Sequence, residues 1–293
     1  MNGRQRGMSL AELLAALALA GLVLAAAAKW LQVSSKGARE LQAALEVKEQ
    51  IRAALDLLES ELRAAGAYGL VPSRFPVDGS TPLGTPELAT LATGGRCASS
   101  LAHDLAHPVQ WTNWNGGTWP LGCAAGPDGR AMSGSAVLVT RRATAALTSD
   151  DAGTLWVEST PVAGRLRSGL AGVVLQPQTG PQGVPTAAAP PSPAQALLVV
   201  NAFYVSRDST GTRNQPSLRR KVLVGGTSGP RFEDEELVPG IERLSVSLPP
   251  TPAASTGRLL LVAVTACSLR TPALKRTAQR MVLLRNGIAT PWP

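Results

Sequence analysis

The chain has 293 residues, of which 44% are hydrophobic, 16% are charged, 29 are glycine and 23 are proline. This composition excludes a disordered chain, because enough apolar residues are present to bury a core of one large domain or two small ones. The formal net charge of +8 would suit DNA or an anionic surface. No motif for binding nucleotide phosphates and no hydrolase nucleophile motif is present.

The N-terminal segment combines a polar leader with a long apolar run. The leader carries Arg4 and Arg6, and residues 13–28 are apolar without interruption. Residues 8–28 therefore have the length of about 20 residues that a transmembrane helix needs. A secretory signal peptide is the alternative, because residues 25–28 resemble a small-residue cleavage site. The helical pattern continues past that site, however, which is not typical of a signal peptide.

Glu12 is the unusual residue of this segment. A carboxylate within an apolar helix is costly in lipid, so such a residue usually has a partner. Cleavage after Gly7 would give Met8 a free α-amine, and Glu12 would lie in the first turns of the same helix, where the helix dipole favours its charge. We therefore expect Glu12 to pair with the Met8 amine of a neighbouring subunit and to set the axial register of an assembly.

This arrangement resembles the class III leader of type IV prepilins and pseudopilins. The residues that carry the resemblance are Gly7-Met8-Ser9-Leu10-Ala11-Glu12-Leu13-Leu14. Met8 and Ala11 depart mildly from the commonest residues at their positions. The resemblance implies that residues 1–7 are a leader peptide, and that a prepilin peptidase cleaves after Gly7 and methylates the amine of Met8.

The helix is predicted to continue beyond its transmembrane half, residues 8–29, through an amphipathic half at residues 30–66. Its apolar stripe recurs at steps of three and four and consists of Leu41, Ala44, Ile51, Leu55, Leu58 and Leu62, with Lys48 in the same row. Such a stripe predicts packing on a sheet. A membrane-anchored coiled coil is the alternative, and the short stripe disfavours it. Gly66, Gly69 and Pro72 are predicted to end the helix.

Residues 67–134 are predicted to form a loop-rich insertion, because they are dense in Gly, Pro, Thr and Ser. Three tryptophans in it, Trp111, Trp114 and Trp119, either pack the loop against its own domain or form an adhesive, sugar-binding patch. His103 and His107 are predicted to be exposed loop histidines. We expect no metal site and no catalytic residue there.

Three cysteines, Cys97, Cys123 and Cys267, allow at most one intramolecular disulfide. Export across an inner membrane would place them in an oxidising compartment. We predict a bond between Cys97 and Cys123, which share the loop-rich region, and a buried thiol at Cys267 in a strand-like apolar run. The absence of a C-x-x-C sequence gives no support to a metal cluster.

Residues 135–293 are predicted to form a β-sheet head. Strand signals occur at residues 135–142, 154–158, 172–176, 196–206, 217–224, 241–248, 258–269 and 277–285. A helix followed by strands predicts an α+β fold with an antiparallel sheet and long loops. The acidic run at residues 233–236 is predicted to be a solvated turn rather than a calcium site. The basic residues at 219–221 and in the last strands form either a basic face or solvated strand edges.

Several segments of the head are similar to the PilW family of minor type IV pilins. They are LLESELRAAG at 57–66, SGSAVLVTRRA at 133–143, FYV at 203–205, PSLRR at 216–220 and LVPGIE at 237–242. One departure is Leu70, which stands where a cysteine often follows the helix in that family. The resemblance implies a type IV pilin-like fold and a non-enzymatic minor pilin without cofactors, which takes part in initiating or capping a pilus.

The same resemblance implies a location and a set of partners. The protein would be anchored in a bacterial inner membrane by a single span with its head in the periplasm, and would then enter the pilus at its tip. Its partners would be a prepilin peptidase, other minor pilins and the major pilin. The alternatives are a large minor pseudopilin of a type II secretion system and, on net charge alone, a DNA-uptake pilin with a DNA-binding head.

Overall fold

The structure is a computed structural model that describes residues 10–71, 77–83, 97, 100–126, 129–145, 154–161, 164–168, 194–225, 230–250 and 257–291. The helices are α1 (Leu10–Ala64) and α2 (Ser100–His103). The strands are β1 (Val77–Leu83), β2 (Val109–Trp114), β3 (Ser135–Ala145), β4 (Leu155–Ser159), β5 (Gly164–Ser168), β6 (Ala194–Ser206), β7 (Ser217–Val224), β8 (Arg231–Pro239), β9 (Ile241–Ser247), β10 (Leu259–Cys267), β11 (Lys275–Leu283) and β12 (Ala289–Pro291). The chain forms two compact units, Met1–Glu46 and Val47–Pro293.

From here on, the head is the whole second unit, Val47–Pro293, and it contains two sheets. The larger has nine strands in the order β1-β5-β4-β6-β3-β2-β12, and β7 joins it between β6 and β8. The smaller has the order β11-β10-β9 and is antiparallel throughout.

Among the described residues of 135–293, the strand pairs are antiparallel. Two parallel pairs, β1 with β5 and β12 with β2, each include a strand from residues 67–134. Neither pair is joined by a hairpin. A long connection leaves strand direction free, whereas a tight turn enforces antiparallel pairing.

The second part of α1 contributes a buried stripe to the first core. Val47, Ile51, Leu55, Leu58 and Leu62 are all at most 6% exposed, and they contact apolar side chains of both sheets. The spacing of three and four residues produces this stripe, because residues at those steps lie on one helix face. The predicted stripe is correct from Ile51 onward.

The N-terminal part of the predicted stripe is one position out of register. Leu41 is 61% exposed and Lys48 is exposed, while Val47 is buried. Val47 precedes Ile51 by four residues and therefore lies on its face. Lys48 precedes Ile51 by only three residues, and the buried face uses Val47 instead because it carries no charge to desolvate.

A second core lies on the other face of the large sheet. Leu101, Leu105 and Leu121 are at most 3% exposed and pack with apolar residues of β3, β4 and β6. The predicted loop-rich insertion at residues 67–134 supplies Leu101, Leu105 and Leu121 to this core. It contains β1, α2 and β2, and its apolar side chains cover a sheet face that would otherwise be exposed to water.

The strands β3 and β6 separate the two cores. On β3, Leu138 belongs to the first core, while Val137 and Val139 belong to the second. On β6, Phe203 belongs to the first core and Tyr204 belongs to the second. Because successive side chains of a strand point to opposite faces, a strand covered on both faces needs a continuous apolar sequence.

Most of the other strand predictions agree with the structure to within a few residues. The predicted strand at residues 172–176 lies outside the described residues. The sequence did not predict β8, whose residues 231–236 are mostly charged and lack the usual apolar alternation.

Two ionic contacts attach α1 to the strands. Glu61 accepts hydrogen bonds from Arg142 of β3 and from Asn201 of β6. Arg280 of β11 donates to Asp56 and Glu59, each at 2.6 Å. The helix is thus bound to the large sheet on one side and to the small sheet on another.

The helix stripe leads to a stability prediction. Leu58 is 1% exposed, so Leu58→Ala should lower the free energy of unfolding by about 2 to 5 kcal/mol through lost burial and a cavity. Leu41→Ala is the matched control, and we expect it to change that energy by less than about 0.5 kcal/mol. Denaturation of the full-length protein in detergent, followed by circular dichroism, measures both. Equal losses in the two variants would contradict the assignment of the stripe.

Candidate functional site

The first unit of the chain presents an exposed, uninterrupted apolar run at residues 13–28. Every residue of α1 from Leu10 to Gln42 is exposed, including Leu17, Leu24 and Trp30 at 62 to 70%. In the described part of the chain, α1 is the one helix that is long and apolar enough to cross a membrane. Exposed apolar surface of this extent is unfavourable in water, so it requires lipid or other apolar helices as its surroundings.

Glu12 is the acidic residue of the first turn of α1, and its side chain is exposed. The first turn is where unpaired backbone N–H groups and the helix dipole favour a negative charge. The other two predicted site residues, Gly7 and Met8, lie outside the described residues. The structure therefore places Glu12 at the start of the helix, and the predicted pairing with the Met8 amine stays a prediction.

Comparison with known families identifies this segment. A family model, the prokaryotic N-terminal methylation motif, matches residues 2–28. The motif indicates a type IV pilin-like protein. Its long apolar helix followed by a mixed, sheet-rich head fits a type IV pilin-like α+β fold, and the helix fits membrane anchoring. Comparisons with curated proteins and with solved structures gave no match.

In the head of this pilin-like protein, Cys97 and Cys123 form a disulfide, as expected from their shared region. Both are buried in the second core, beside Leu101 and Leu121. Cys267 is buried in β10 and is not part of this bond. The disulfide closes a segment of little regular structure, so it limits the conformations of that segment in the unfolded chain.

The tryptophans of the same segment pack inside the head. The rings of Trp114 and Trp119 meet edge to face with centroids 5.1 Å apart, and Trp119 meets Tyr204 of β6 at 5.4 Å. Trp114 Nε1 donates to the carbonyl oxygen of Gly117 at 3.0 Å, and Trp111 packs against the first core. These contacts favour the packing interpretation over an adhesive patch, because the rings are used within the domain.

Arg141 is a buried cation that the sequence did not single out. It is 1% exposed, and its guanidinium donates to the carbonyl oxygens of Leu101 at 2.8 Å and His107 at 2.6 Å. Burial lowers the pKa of Arg141 to about 10, while Asp104 opposes that shift. Arg141 remains charged at neutral pH and holds the segment around α2 against β3.

The histidines predicted as loop residues occupy this segment. His103 ends α2, and the His107 side chain is 47% exposed with Nδ1 2.9 Å from Asp104 Oδ1. Among the described residues, no group of three or more His, Cys, Asp or Glu side chains could hold a metal ion.

The acidic run at residues 233–236 was wrongly predicted to be a turn, because it forms the centre of β8. Its carboxylates face basic residues of β7 in a cross-strand ladder, defined by Arg219 with Asp234 and Glu236, Arg220 with Glu235, and Lys221 with Asp234. Tyr204 also donates a hydrogen bond to Asp234. Sequence reasoning treated the two runs separately, although opposite charges on adjacent strands stabilise their pairing.

The ladder also bears on whether the basic residues at 219–221 form a basic face or solvated strand edges. Arg219 is 5% exposed and Lys221 is 7% exposed, and both are paired with carboxylates. In the last strands, Lys275 pairs with Glu242 and Arg280 pairs with Asp56 and Glu59. These four cations are therefore neutralised locally, which reduces the charge that they present to a polyanion.

The loop between β6 and β7 is organised by two carboxylates. Asp208, 1% exposed, accepts from the Asn214 N–H and from Arg130, each at 2.7 Å. Burial raises the pKa of Asp208, but these two donors outweigh burial and hold the pKa below its ordinary value of 3.8. The pKa of Glu236 is likewise lowered, because donors on Ser209 and Thr210 outweigh its desolvation.

The lowered pKa of Asp208 predicts a dependence of stability on pH. Since the folded protein favours the ionised form, this stabilisation is complete above the ordinary pKa of 3.8 and is lost as the pH falls through the lower folded value. Asp208→Asn should therefore be less stable at pH 7 and should lose less stability between about pH 5 and pH 2. Chemical denaturation across this range measures the effect. Glu49→Gln, at an exposed helix position, is the control, and an equally flattened profile in that variant would contradict the assignment.

Proposed function

We propose that this chain is a minor type IV pilin of the PilW family that takes part in initiating or capping a pilus. A prepilin peptidase cleaves it after Gly7 and methylates Met8. It resides in the inner membrane with its head in the periplasm, and it enters the pilus tip together with other minor pilins and the major pilin. The observation that carries this proposal is the methylation motif at residues 2–28, which leads into one continuous helix of 55 residues.

The exposed part of α1 supports an assembly role. In the described part of the chain, the apolar residues 13–28 are exposed, and a bilayer or a bundle of similar helices would cover them equally well. A subunit of this kind can therefore leave the membrane for a helical assembly without exposing the apolar surface to water. The carboxylate of Glu12 is the exception, because it gains from a cation when it leaves the interface.

The size of the head supports a position at the end of the assembly. A domain of the length of Val47–Pro293 has a radius of gyration of roughly 18 Å, whereas packed helices lie only about 8 to 10 Å apart. Large heads on adjacent helices would compete for space along a filament. A subunit at the tip has neighbouring heads on one side only, so a large head meets less competition for space there.

A large minor pseudopilin of a type II secretion system is the alternative, because it would carry the same motif and helix. The genes that neighbour this one distinguish the two systems, since pilus and secretion genes occur in different clusters. DNA uptake has less support, because much of the basic charge of the head is paired with carboxylates.

N-terminal processing tests the proposal directly. Intact-mass and N-terminal analysis of the native protein should find a chain that starts at N-methylated Met8. Gly7→Leu should abolish cleavage, because the peptidase requires a small residue before the cleaved bond, and Gly3→Leu is the control that leaves it intact. A mature chain that starts after Ala28 would indicate a conventional signal peptide and would refute the pilin proposal.

Glu12 tests the assembly step. Glu12→Ala should leave cleavage and membrane insertion intact but weaken co-purification with partner pilins, because the pairing with the Met8 amine is lost. Glu12→Gln should show the same defect with a smaller steric change. Glu49→Ala, at an exposed position of the same helix, should co-purify normally. If both Glu12 variants retained their partners and supported normal piliation, helix packing alone would explain assembly.

A further inference from the structure

Among its described residues, the head has an open strand edge at β11. In the small sheet, β11 pairs with β10 on one side, and no strand of the described residues pairs with its other side. The opposite edge of that sheet is covered, because Ser135 Oγ hydrogen-bonds to Leu244 N and O of β9, and Asn113 donates to the Val246 carbonyl. Backbone groups on a free strand edge can pair with another chain.

The end strands of the large sheet differ from β11 in their sequences. Pro82 lies in β1, Pro239 ends β8, and Pro291 ends the three-residue β12. Proline lacks the N–H that a further strand would need, so it protects an edge against pairing. By contrast, β11 has nine residues without proline, and its register with β10 is unbroken from Leu283 to Lys275.

The outer face of β11 is apolar at one end. Met281 is 54% exposed and Leu283 is 58% exposed, and they lie opposite the half-buried Leu261 and Leu259 of β10. These two cross-strand pairs form a small apolar surface directly beside the open edge. A strand added there would extend the surface by further cross-strand contacts, which stabilise neighbouring strands.

Charge restricts the partner. Arg276 is exposed, and it lies on the face of β11 opposite to Met281 and Leu283, because successive side chains of a strand alternate between faces. A second copy of β11, whose sequence KRTAQRMVL is basic and has no acidic residue, would add like charges to this edge, which disfavours self-pairing. Acidic side chains of an added strand would instead be attracted to Arg276.

DNA is a less suitable ligand than protein for this surface. Arg276 and the apolar pair Met281 and Leu283 lie on opposite faces of β11, and the nearby Arg280 is occupied by Asp56 and Glu59. Phosphates are bound by accessible cations, not by strand edges.

We propose that the open edge of β11 binds an extended strand of a partner protein, in which apolar and acidic side chains alternate, by addition to the small sheet. Backbone hydrogen bonds hold the added strand, Met281 and Leu283 contact its apolar side chains on one face, and Arg276 attracts its acidic side chains on the other. This inference stands independently of the proposed pilus role, because it rests only on the geometry and charge of the head.

Hydrogen exchange on the full-length protein in detergent tests the inference. The probe is a ten-residue peptide that alternates valine and glutamate, acetylated and amidated at its ends, and the control peptide has lysine in place of glutamate. At saturation, the glutamate peptide should slow amide exchange in residues 275–283 by about tenfold and leave β8 unchanged. The lysine peptide should have no such effect.

Variants distinguish peptide binding at the edge of β11 from non-specific binding elsewhere on the protein. Met281→Lys places a charge in the apolar surface and should weaken the glutamate peptide about fivefold, while Leu70→Lys, at a loop position that is 47% exposed, should not. Arg276→Glu should reverse the preference between the peptides, whereas Arg213→Glu in the exposed β6–β7 loop should not.

Several results would overturn the inference. They are an absence of protection at millimolar peptide, equal protection by both peptides, and protection that rises with protein concentration alone, which would indicate a second copy. Stronger protection of residues 275–283 by duplex DNA than by the glutamate peptide would identify a phosphate-binding surface instead.

Discussion

The head depends on the burial of both faces of β3 and β6. Residues 136–139 of β3 are all apolar, and residues 196–205 of β6 are apolar except for Asn201, so each face must be covered by something other than water. The stripe of α1 from Val47 to Leu62, together with the small sheet, covers one face, and the segment that contains Cys97 and Cys123 covers the other. Removal of either cover would expose a contiguous apolar surface, and the two covers are therefore equally necessary.

One cover is a regular helix and the other has little regular secondary structure, and this difference explains the buried polar contacts. The backbone groups of a helix hydrogen-bond to one another, so polar side chains are left to fix the orientation of α1. Glu61 contacts Asn201, and Asp56 and Glu59 contact Arg280. The segment around α2 has few internal backbone hydrogen bonds to offer, and its carbonyl oxygens need donors. Arg141 supplies two of them from β3. Burial of a guanidinium costs desolvation free energy. The two hydrogen bonds that Arg141 donates offset that cost, and the disulfide restrains the same segment.

The charges of the head follow the same logic of local pairing. Arg219, Arg220 and Lys221 lie opposite the carboxylates of β8, so the most basic and the most acidic runs of the chain neutralise one another. The net charge of +8 is thus a poor guide to surface charge. Two surfaces of the described residues are available to a partner, the exposed helix of the first unit and the open edge of β11, and both suit association with other proteins.

By itself, the sequence determined the features that depend on local order along the chain. Glycine, hydrophobic residue and glutamate at fixed spacing before an apolar run define the methylation motif, and spacing of three and four residues defines the helix that follows. The partnership of Cys97 with Cys123 could also be predicted, since only one of three cysteines lay in a strand-like run. Tertiary structure alone decided which loop segments became covers, because the apolar residues between 97 and 125 have no period of their own and fold only against a sheet face formed elsewhere. It also decided that the run at 233–236 is a strand, since the bases that neutralise it become neighbours only when β7 and β8 pair.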